Sequence, residues 1–317
     1  MKLEEKIMND ISIIILNYNS SEYTIKCIES IRRITNKSLK YEIIVVDNNS
    51  TTPEFNKMSY LQNFENIKIL KSKINLGFSG GNTFGFQFTN SKYIYFLNND
   101  CELINDNLYI LYTFMEENNS VGLCSGQMYS ADLKIMKTIN YLPTISLKLF
   151  GNSTLRFINK DKYPNYKMEF DKPLKVESLA GASLFFRTKA FCKIGGFDLN
   201  YFLFCEEEEI GFKLKKNAIE TYLVPEAKFI HYLSKSTNPS YKTEREFYIS
   251  LMYYFRKNYK YPIYLGLKIL YFFKLLRKFY KNIKYLKLSL FILLENGMVK
   301  SIRHEQSINC GSENGRN

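Results

Sequence analysis

Three short apolar runs, each closed by asparagine or aspartate, constrain this chain more than any other feature. Ile11 to Leu16 (ISIIIL), Ile43 to Val46 (IIVV) and Tyr93 to Leu97 (YIYFL) are short and rich in β-branched or aromatic residues. They read as buried strands. They run into Asn17-Tyr18-Asn19, Asp47-Asn48-Asn49-Ser50 and Asn98-Asn99-Asp100. Between the first two, Tyr23, Cys27, Ile28, Ile31 and Ile34 recur at helical spacing, and Ser20 or Ser21 can cap that helix. Strand, helix, strand with polar strand ends is the pattern of a parallel α/β sheet. Such sheets bind ligands at the carboxyl ends of their strands.

The rest of the chain extends this pattern. Ile67 to Leu70 predicts a third strand, and Asn75 to Gly85 (NLGFSGGNTFG) a glycine-rich loop. Leu108 to Glu117 predicts a helix and Gly122 to Met128 a strand. Residues 131–172 have no clear period. Ser183 to Arg187 predicts a strand, then Lys189 to Ile194 a helix stopped by Gly195-Gly196. A helix is expected from about Glu206 to Asn217, and a strand over Thr221 to Val224, ended by Pro225. No linker divides residues 1–255, which are expected to form one catalytic domain. A segment 256–305 and a disordered tail 306–317 are expected to follow it.

Charge is uneven. The formal net charge is +13, yet Arg256 to Arg303 holds twelve Lys or Arg and one acid, Glu295. Within it Lys274, Arg277, Lys278, Lys281 and Lys284 share one arc of a helical wheel. Leu275, Leu276, Phe279, Ile283, Leu286 and Leu290 share the opposite arc. A basic amphipathic helix lying in a membrane interface has this pattern, and so does a helix packed on the protein with a solvated basic face. Confinement of the charge to this segment, with no nucleic-acid motif, argues against a nucleic-acid partner. The six cysteines show no metal-ligand spacing and read as free thiols of a reducing compartment. No apolar run approaches the roughly 20 residues that span a bilayer. The start of the chain lacks the features of a secretory signal. A cytoplasmic protein, peripheral at the inner membrane surface, is the expectation.

Three features carry chemistry. Asp100 at a strand end can hold a divalent cation or simply form a turn. Gly77, Gly80 and Gly81 allow close backbone approach to a ligand, or a structural turn; they match neither a Walker loop nor GxGxxG. Glu206-Glu207-Glu208-Glu209 reads as an acidic helix start, or as a crowded carboxylate cluster able to supply a base.

Taken in order, ISIIILNYNS, YEIIVVDNNST, NLGFSGGNTFG, YIYFLNND, LAGASLFFRTKAFCKIGGFDLNYFLFCEEEEIGFKLKK and YLVPEAKFIHY resemble the family 2 glycosyltransferases. The likeness is greatest to their bacterial rhamnosyltransferase-like branch. It covers about residues 11–100 and 176–232. It implies a GT-A fold: a Rossmann-like, mostly parallel central sheet flanked by helices, here with a C-terminal helical basic extension. It also implies inverting transfer from a nucleoside-diphosphate sugar, with Mg²⁺ or Mn²⁺ as cofactor. The acceptor is then a glycan or lipid-linked saccharide in cell-surface polysaccharide synthesis.

Residue by residue, the resemblance puts Asn17, Asn19 and Asp47 at base and ribose. It puts Lys73, Asn75, Gly77 and Gly81 in the donor loop, with Asn98 beside them. Asp100 and His231 become metal-side residues, although a buried structural role for His231 stays open. Glu207 falls on the catalytic base, where relatives carry Asp; a slip of one residue would put Glu206 or Glu208 there instead. Glu206 and the GGFD residues Gly196, Phe197 and Asp198 fall on the acceptor side. A non-catalytic binding module on the same fold is the alternative.

Overall fold

A computed structural model of the chain describes residues 9–160, 163, 165, 168–233, 240–294 and 297–306. The first half alternates as expected: β1 (Asn9–Asn17), α1 (Ser21–Ile34), β2 (Tyr41–Asp47), α2 (Thr52–Met58), β3 (Ile67–Lys71), α3 (Gly77–Phe86) and β4 (Ser91–Asn98). Then come β5 (Cys101–Leu103), α4 (Asn107–Glu117), β6 (Val121–Tyr129), β7 (Ile139–Asn140) and α5 (Ile145–Ile158). Next are β8 (Leu174–Lys175), β9 (Ser178–Leu179), β10 (Ser183–Arg187), α6 (Thr188–Lys193), α7 (Glu206–Lys216) and β11 (Glu220–His231). Three helices close the described chain: α8 (Tyr241–Asn258), α9 (Tyr261–Leu276) and α10 (Lys284–Leu294).

The main sheet has the order β3-β2-β1-β4-β10-β6-β11-β5, with β8 also on β11. β1 to β4 are mutually parallel, and β11 runs parallel to β6. β10 is inserted antiparallel between β4 and β6. Its first residues therefore lie at the edge where β1, β2 and β4 end, which brings a distant stretch of sequence to the polar strand ends.

Period-two alternation sorts the strands onto two faces. Ile11, Ile13, Ile15, Ile43, Val45, Tyr93 and Tyr95 pack with α1 and α4. Ile14, Ile44, Val46, Ile94 and Phe96 pack on the other face with residues of α6 and α7. A third cluster joins α8, α9 and α10 to Tyr201 and Cys205. Each fully buried Ile or Phe contributes about 1.5–3 kcal/mol through burial.

Four expectations need correction. The segment expected as a glycine loop is helix α3 from Gly77 on. Its glycines let it lie close on the sheet: a Cβ at Gly81 would stand 2.4 Å from a Leu16 methyl, and one at Gly85 2.8 Å from an Ile14 methyl. Pro225 does not end its strand. β11 continues to His231, because a register irregularity between Val224 and Lys228 takes up the missing amide. The unassigned stretch contains α5, interrupted at Gly151, where φ is +78°. Ser20 does not cap α1; Glu54 of α2 accepts the Ser21 amide at 3.2 Å, which frees Ser20 for another partner.

The basic segment is also not one amphipathic helix. The helix breaks after Leu276, and α9 and α10 form a hairpin packed on α8. Leu275 and Leu288 are buried inside it, whereas Phe279 and Ile283 are exposed. The boundary expected at 255/256 falls inside α8. The tail from 307 on, with Cys310, and residue Glu295 lie outside the described residues. Among the described residues no helix is long and apolar enough to cross a membrane.

Candidate active site

The site is built at the carboxyl edge of the sheet. At the ends of β1 and β2, the Asn17 side chain donates to Asp47 Oδ1 (3.0 Å) and Ser50 Oγ (3.1 Å), and accepts from Thr24 Oγ1 (2.8 Å). Both Asn17 and Asp47 have zero exposure. They hold the two strand ends together and are buried at the positions expected to meet base and ribose. Asn19 is exposed with φ +51°, and its Oδ1 accepts the Thr51 amide at 2.9 Å. Tyr18, 42% exposed beside it, is a rim residue that the sequence reading passed over.

The adjoining loop is tied down in the same way. Asn48 donates to Asn75 Oδ1 (2.8 Å) and to the Gly77 carbonyl (3.2 Å), and accepts from the Leu76 amide (2.8 Å). Asn75 also accepts the Gly77 amide at 2.8 Å. Asn75, Gly77 and Gly81 thus shape the loop and helix start, and Lys73 is the exposed cation beside them. Asn99 is a second cross-link missed in the sequence. It donates to Ser20 Oγ (2.7 Å) and Thr24 Oγ1 (3.0 Å), pinning the end of β4 to the start of α1. The signal was present as paired asparagines after two strands, but only their partners reveal what they do.

Beyond Asn98, Asp100 meets the end of β11. His231 Nε2 lies 3.1 Å from Asp100 Oδ1, and the Tyr232 amide donates to the Asp100 carbonyl at 2.9 Å. Pairing of His231 with Cys101 in the β5–β11 ladder sets this contact. The His231 Nδ1 is buried without a hydrogen-bond partner. Ligand atoms of Asp100, Cys101 and His231 lie within 4.8 Å of one another. A carboxylate and an imidazole at this spacing fit a divalent cation, since two cis ligands of an octahedral Mg²⁺ stand about 3 Å apart. Cys101 fits poorly: burial pushes its thiol well above the usual range, and it donates to the Ala182 carbonyl at 3.5 Å.

The acidic run arrives from the other side. Phe204 and Cys205 both have positive φ (+74° and +66°), a strained turn immediately before α7. Gly181, ahead of β10, lies against the Glu207 carboxyl, 3.7 Å from where its Cβ would be, and its amide hydrogen-bonds that carboxyl. The next residue, Ala182, accepts the Asn98 amide at 2.9 Å. Glu207 is therefore joined to the end of β4 through two residues of the β10 entry.

Burial, then repulsion from Glu208, pushes the Glu207 carboxyl up to about 8, against its hydrogen bonds to amides and the pull of Lys137. Burial also raises Glu206 strongly and Glu208 less. Glu206 Oε1 and Glu208 Oε2 are buried without hydrogen-bond partners. Glu209 differs: Lys257, Asn258 (2.6 Å) and Tyr201 (3.3 Å) all donate to it, at 2.5 Å for Lys257.

The GGFD residues are placed in packing. Gly196 has φ +59° and accepts from Lys213 Nζ at 2.8 Å. Phe197 is buried among Phe78, Phe96 and Phe191. Asp198 accepts from Lys257 (2.7 Å), Tyr253 (3.0 Å) and the Asn200 amide (2.9 Å). Together these contacts fix the turn that leads into α7.

Residues 12–193 match the model of glycosyl transferase family 2. The chain belongs to that family. It is 25% identical over 229 residues to rhamnosyltransferase WbbL of Escherichia coli (strain K12), covering 69% of this chain and 82% of that protein. It is 27% identical over 222 residues to the low-salt glycan biosynthesis hexosyltransferase Agl10 of Haloferax volcanii, covering 69% of this chain and 66% of that one. The solved structure of GalNAc-T7 with UDP, GalNAc and Mn²⁺ superposes with a TM-score of 0.55 at 14% identity. It covers 78% of this family 2 chain, which spans 48% of the GalNAc-T7 chain. That likeness is one of fold, and the fold is of the GT-A type.

Proposed function

We propose that this glycosyltransferase inverts configuration as it transfers a sugar from a nucleoside-diphosphate donor to a glycan or lipid-linked saccharide, with Glu207 as base. One observation carries the reading. A partly buried carboxylate with its proton affinity raised to about 8 is joined through Gly181 and Ala182 to the strand end that bears Asn98 and Asp100. A base poised near neutral pH beside a polar strand end suits the removal of a hydroxyl proton.

Glu207 takes the acceptor hydroxyl proton as that oxygen bonds to the anomeric carbon. The bond from that carbon to the diphosphate breaks on the opposite face, and its electron pair leaves with the nucleotide. Base and leaving group on opposite faces give inversion. Asp100 and His231 would hold Mg²⁺ or Mn²⁺, which when bound offsets the charge of the leaving diphosphate. Lys73 and the rim residues Tyr18 and Asn19 offer contacts to the donor. Rhamnose is the first donor sugar to test, because a relative is named a rhamnosyltransferase. Cell-surface polysaccharide synthesis is the setting this reading favours.

The same reading puts the α9–α10 hairpin against the inner membrane surface. Tyr261, Leu265, Ile269 and Phe273, spaced four apart on α9, are all exposed, as are Phe279 and Ile283 after it. Lysines surround them, and an apolar stripe ringed by cations suits anionic lipid.

A thermal-shift screen of UDP, dTDP, GDP and CMP with Mn²⁺, Mg²⁺ or EDTA tests the donor site. A rise in midpoint with one diphosphate, lost in EDTA, is expected. No shift with any of them would refute the donor reading.

A further inference from the structure

Residues Leu199 to Cys205 carry the chain from the GGFD turn to the acidic run, and their carbonyls are held from three distant places. The Phe78 amide donates to the Phe202 carbonyl (2.9 Å), and Ser250 Oγ of α8 to that of Leu203 (2.7 Å). Arg303 Nη2 donates to the carbonyls of both Leu199 (2.8 Å) and Asn200 (2.9 Å). The Tyr201 side chain is buried with its ring centroid 5.0 Å from that of Tyr253, and its hydroxyl donates to Glu209.

Arg303 belongs to a short strap, the 3₁₀ turn Ile302–Glu305, which is fastened to α8 at both ends. Ser301 Oγ donates to Glu246 Oε1 (2.7 Å) and the Ile302 amide to Glu246 Oε2 (2.9 Å), so both oxygens of a buried carboxylate are engaged. Glu305 pairs with Arg245 (2.7 Å) and Lys242 (2.6 Å). With its backbone tied on each side, Arg303 reaches the two carbonyls already oriented, and a charged donor makes each bond roughly twice as strong as a neutral one. The strap lies beyond residues 12–193, which match the family model. None of residues 301–305 enters the three hydrophobic clusters, so its contacts are additions to a core that closes without them.

The segment that Arg303 grips is one that needs holding. Phe204 and Cys205 both sit at positive φ, where a side chain is strained, and such a pair persists only where its surroundings fix it. Relaxation of either residue would swing the start of α7, and with it Glu207, away from Gly181. We propose that Arg303 is a positioning residue for Glu207: by clamping Leu199 and Asn200 it keeps the Phe204–Cys205 turn closed and the carboxyl seated against Gly181. The proposal rests on the transferase reading above for the role of Glu207 as base; the clamp itself does not.

The test compares the full chain with its Arg303→Ala, Arg303→Lys and Lys242→Ala variants. Amide hydrogen exchange read by mass spectrometry should quicken about tenfold over residues 199–209 in Arg303→Ala and keep the wild-type rate in β1 and β2. Arg303→Lys should recover most of the protection, because a single nitrogen makes both bonds and an ammonium can do the same. Lys242→Ala should change nothing, since Glu305 keeps Arg245. Release of dTDP from dTDP-rhamnose, with water as acceptor, should show kcat lowered about ten- to a hundredfold in Arg303→Ala, with KM for the donor within about twofold of the wild type. Unchanged exchange over 199–209, exchange that quickens equally throughout the chain, a KM effect in place of a kcat effect, or no recovery in Arg303→Lys would each overturn the proposal. If the wild type releases no nucleotide, the reading of dTDP-rhamnose as donor fails, and exchange alone decides the clamp.

Discussion

Gly77 and Phe202 are in contact across the site. The Phe78 amide donates to the Phe202 carbonyl at 2.9 Å, and a Cβ on Gly77 would stand 2.2 Å from that carbonyl oxygen. The start of α3 is thus latched to the turn that leads into the acidic run.

Gly77→Ala should break this latch. It adds a clash with backbone to the strain of an alanine at φ +71°. A loss of about 2 kcal/mol or more in urea unfolding, with transfer lost, is expected. Gly195→Ala is the control: φ is +72°, but nothing lies within 4 Å of its Cβ. It should cost about 1 kcal/mol and keep activity.

Glu207→Gln should abolish transfer, by a factor of about 100 to 10,000, while nucleotide binding persists. Its effect on stability has a definite sign. Glu207 is raised from 4.5 to about 8, so the folded state binds more protons than the unfolded one between those values. Its contribution to stability is full below pH 4.5 and is lost as pH rises through about 8. The wild-type midpoint should therefore fall across this window more steeply than that of Glu207→Gln. Parallel melting curves would refute the buried-carboxylate assignment. Transfer by the wild type should rise with pH through the same range.

Glu209→Ala should do the opposite. Two residues along the same acidic run, it leaves Lys257, Asn258 and Tyr201 without their acceptor. A loss of about 2–3 kcal/mol is expected, toward the low end for a buried pair because Lys257 is a third exposed. Chemical denaturation measures it. Transfer per folded molecule should change far less than in Glu207→Gln.

Asp100→Asn and His231→Ala should each remove the dependence of nucleotide binding on Mn²⁺ and lower transfer by about a hundredfold or more. A thermal-shift titration of metal with a fixed diphosphate reads this directly. Unaltered metal dependence in both variants would leave the Asp100–His231 contact as a structural bond.

Phe273→Asp and Ile283→Asp should abolish flotation with anionic vesicles and leave the melting midpoint unchanged, since both side chains are exposed. Deleting the hairpin is a poor substitute, because it would strip Leu267, Leu275 and Leu288 from the core. Full flotation of the double variant would remove the membrane contact.

The parallel half of the sheet was legible because buried strands there carry unbroken β-branched runs with polar ends. The acidic run was legible as an excess of carboxylates where a helix begins. Other features were hidden for physical reasons. The glycines of α3 read as a loop because helix propensity disfavours them, yet tight packing on Leu16 and Ile14 requires their lack of a side chain. Pro225 read as a stop because its tolerance depends on an irregularity set by the partner strand. Asn48 and Asn99 act through partners up to 79 residues away, which no local pattern announces. The wheel drawn through Lys274 to Leu290 assumed one straight helix and could not anticipate the turn after Leu276.

The close seating of α3 also bears on how such a protein diversifies. Gly81 and Gly85 are held by contact with strand side chains, so drift at these positions is penalised whatever sugar is used. Lys73, Ile74 and Tyr18 meet solvent at the same edge and carry no such burden. A library aimed at a new donor should be randomised at those three rim positions and should leave the helix beneath them untouched.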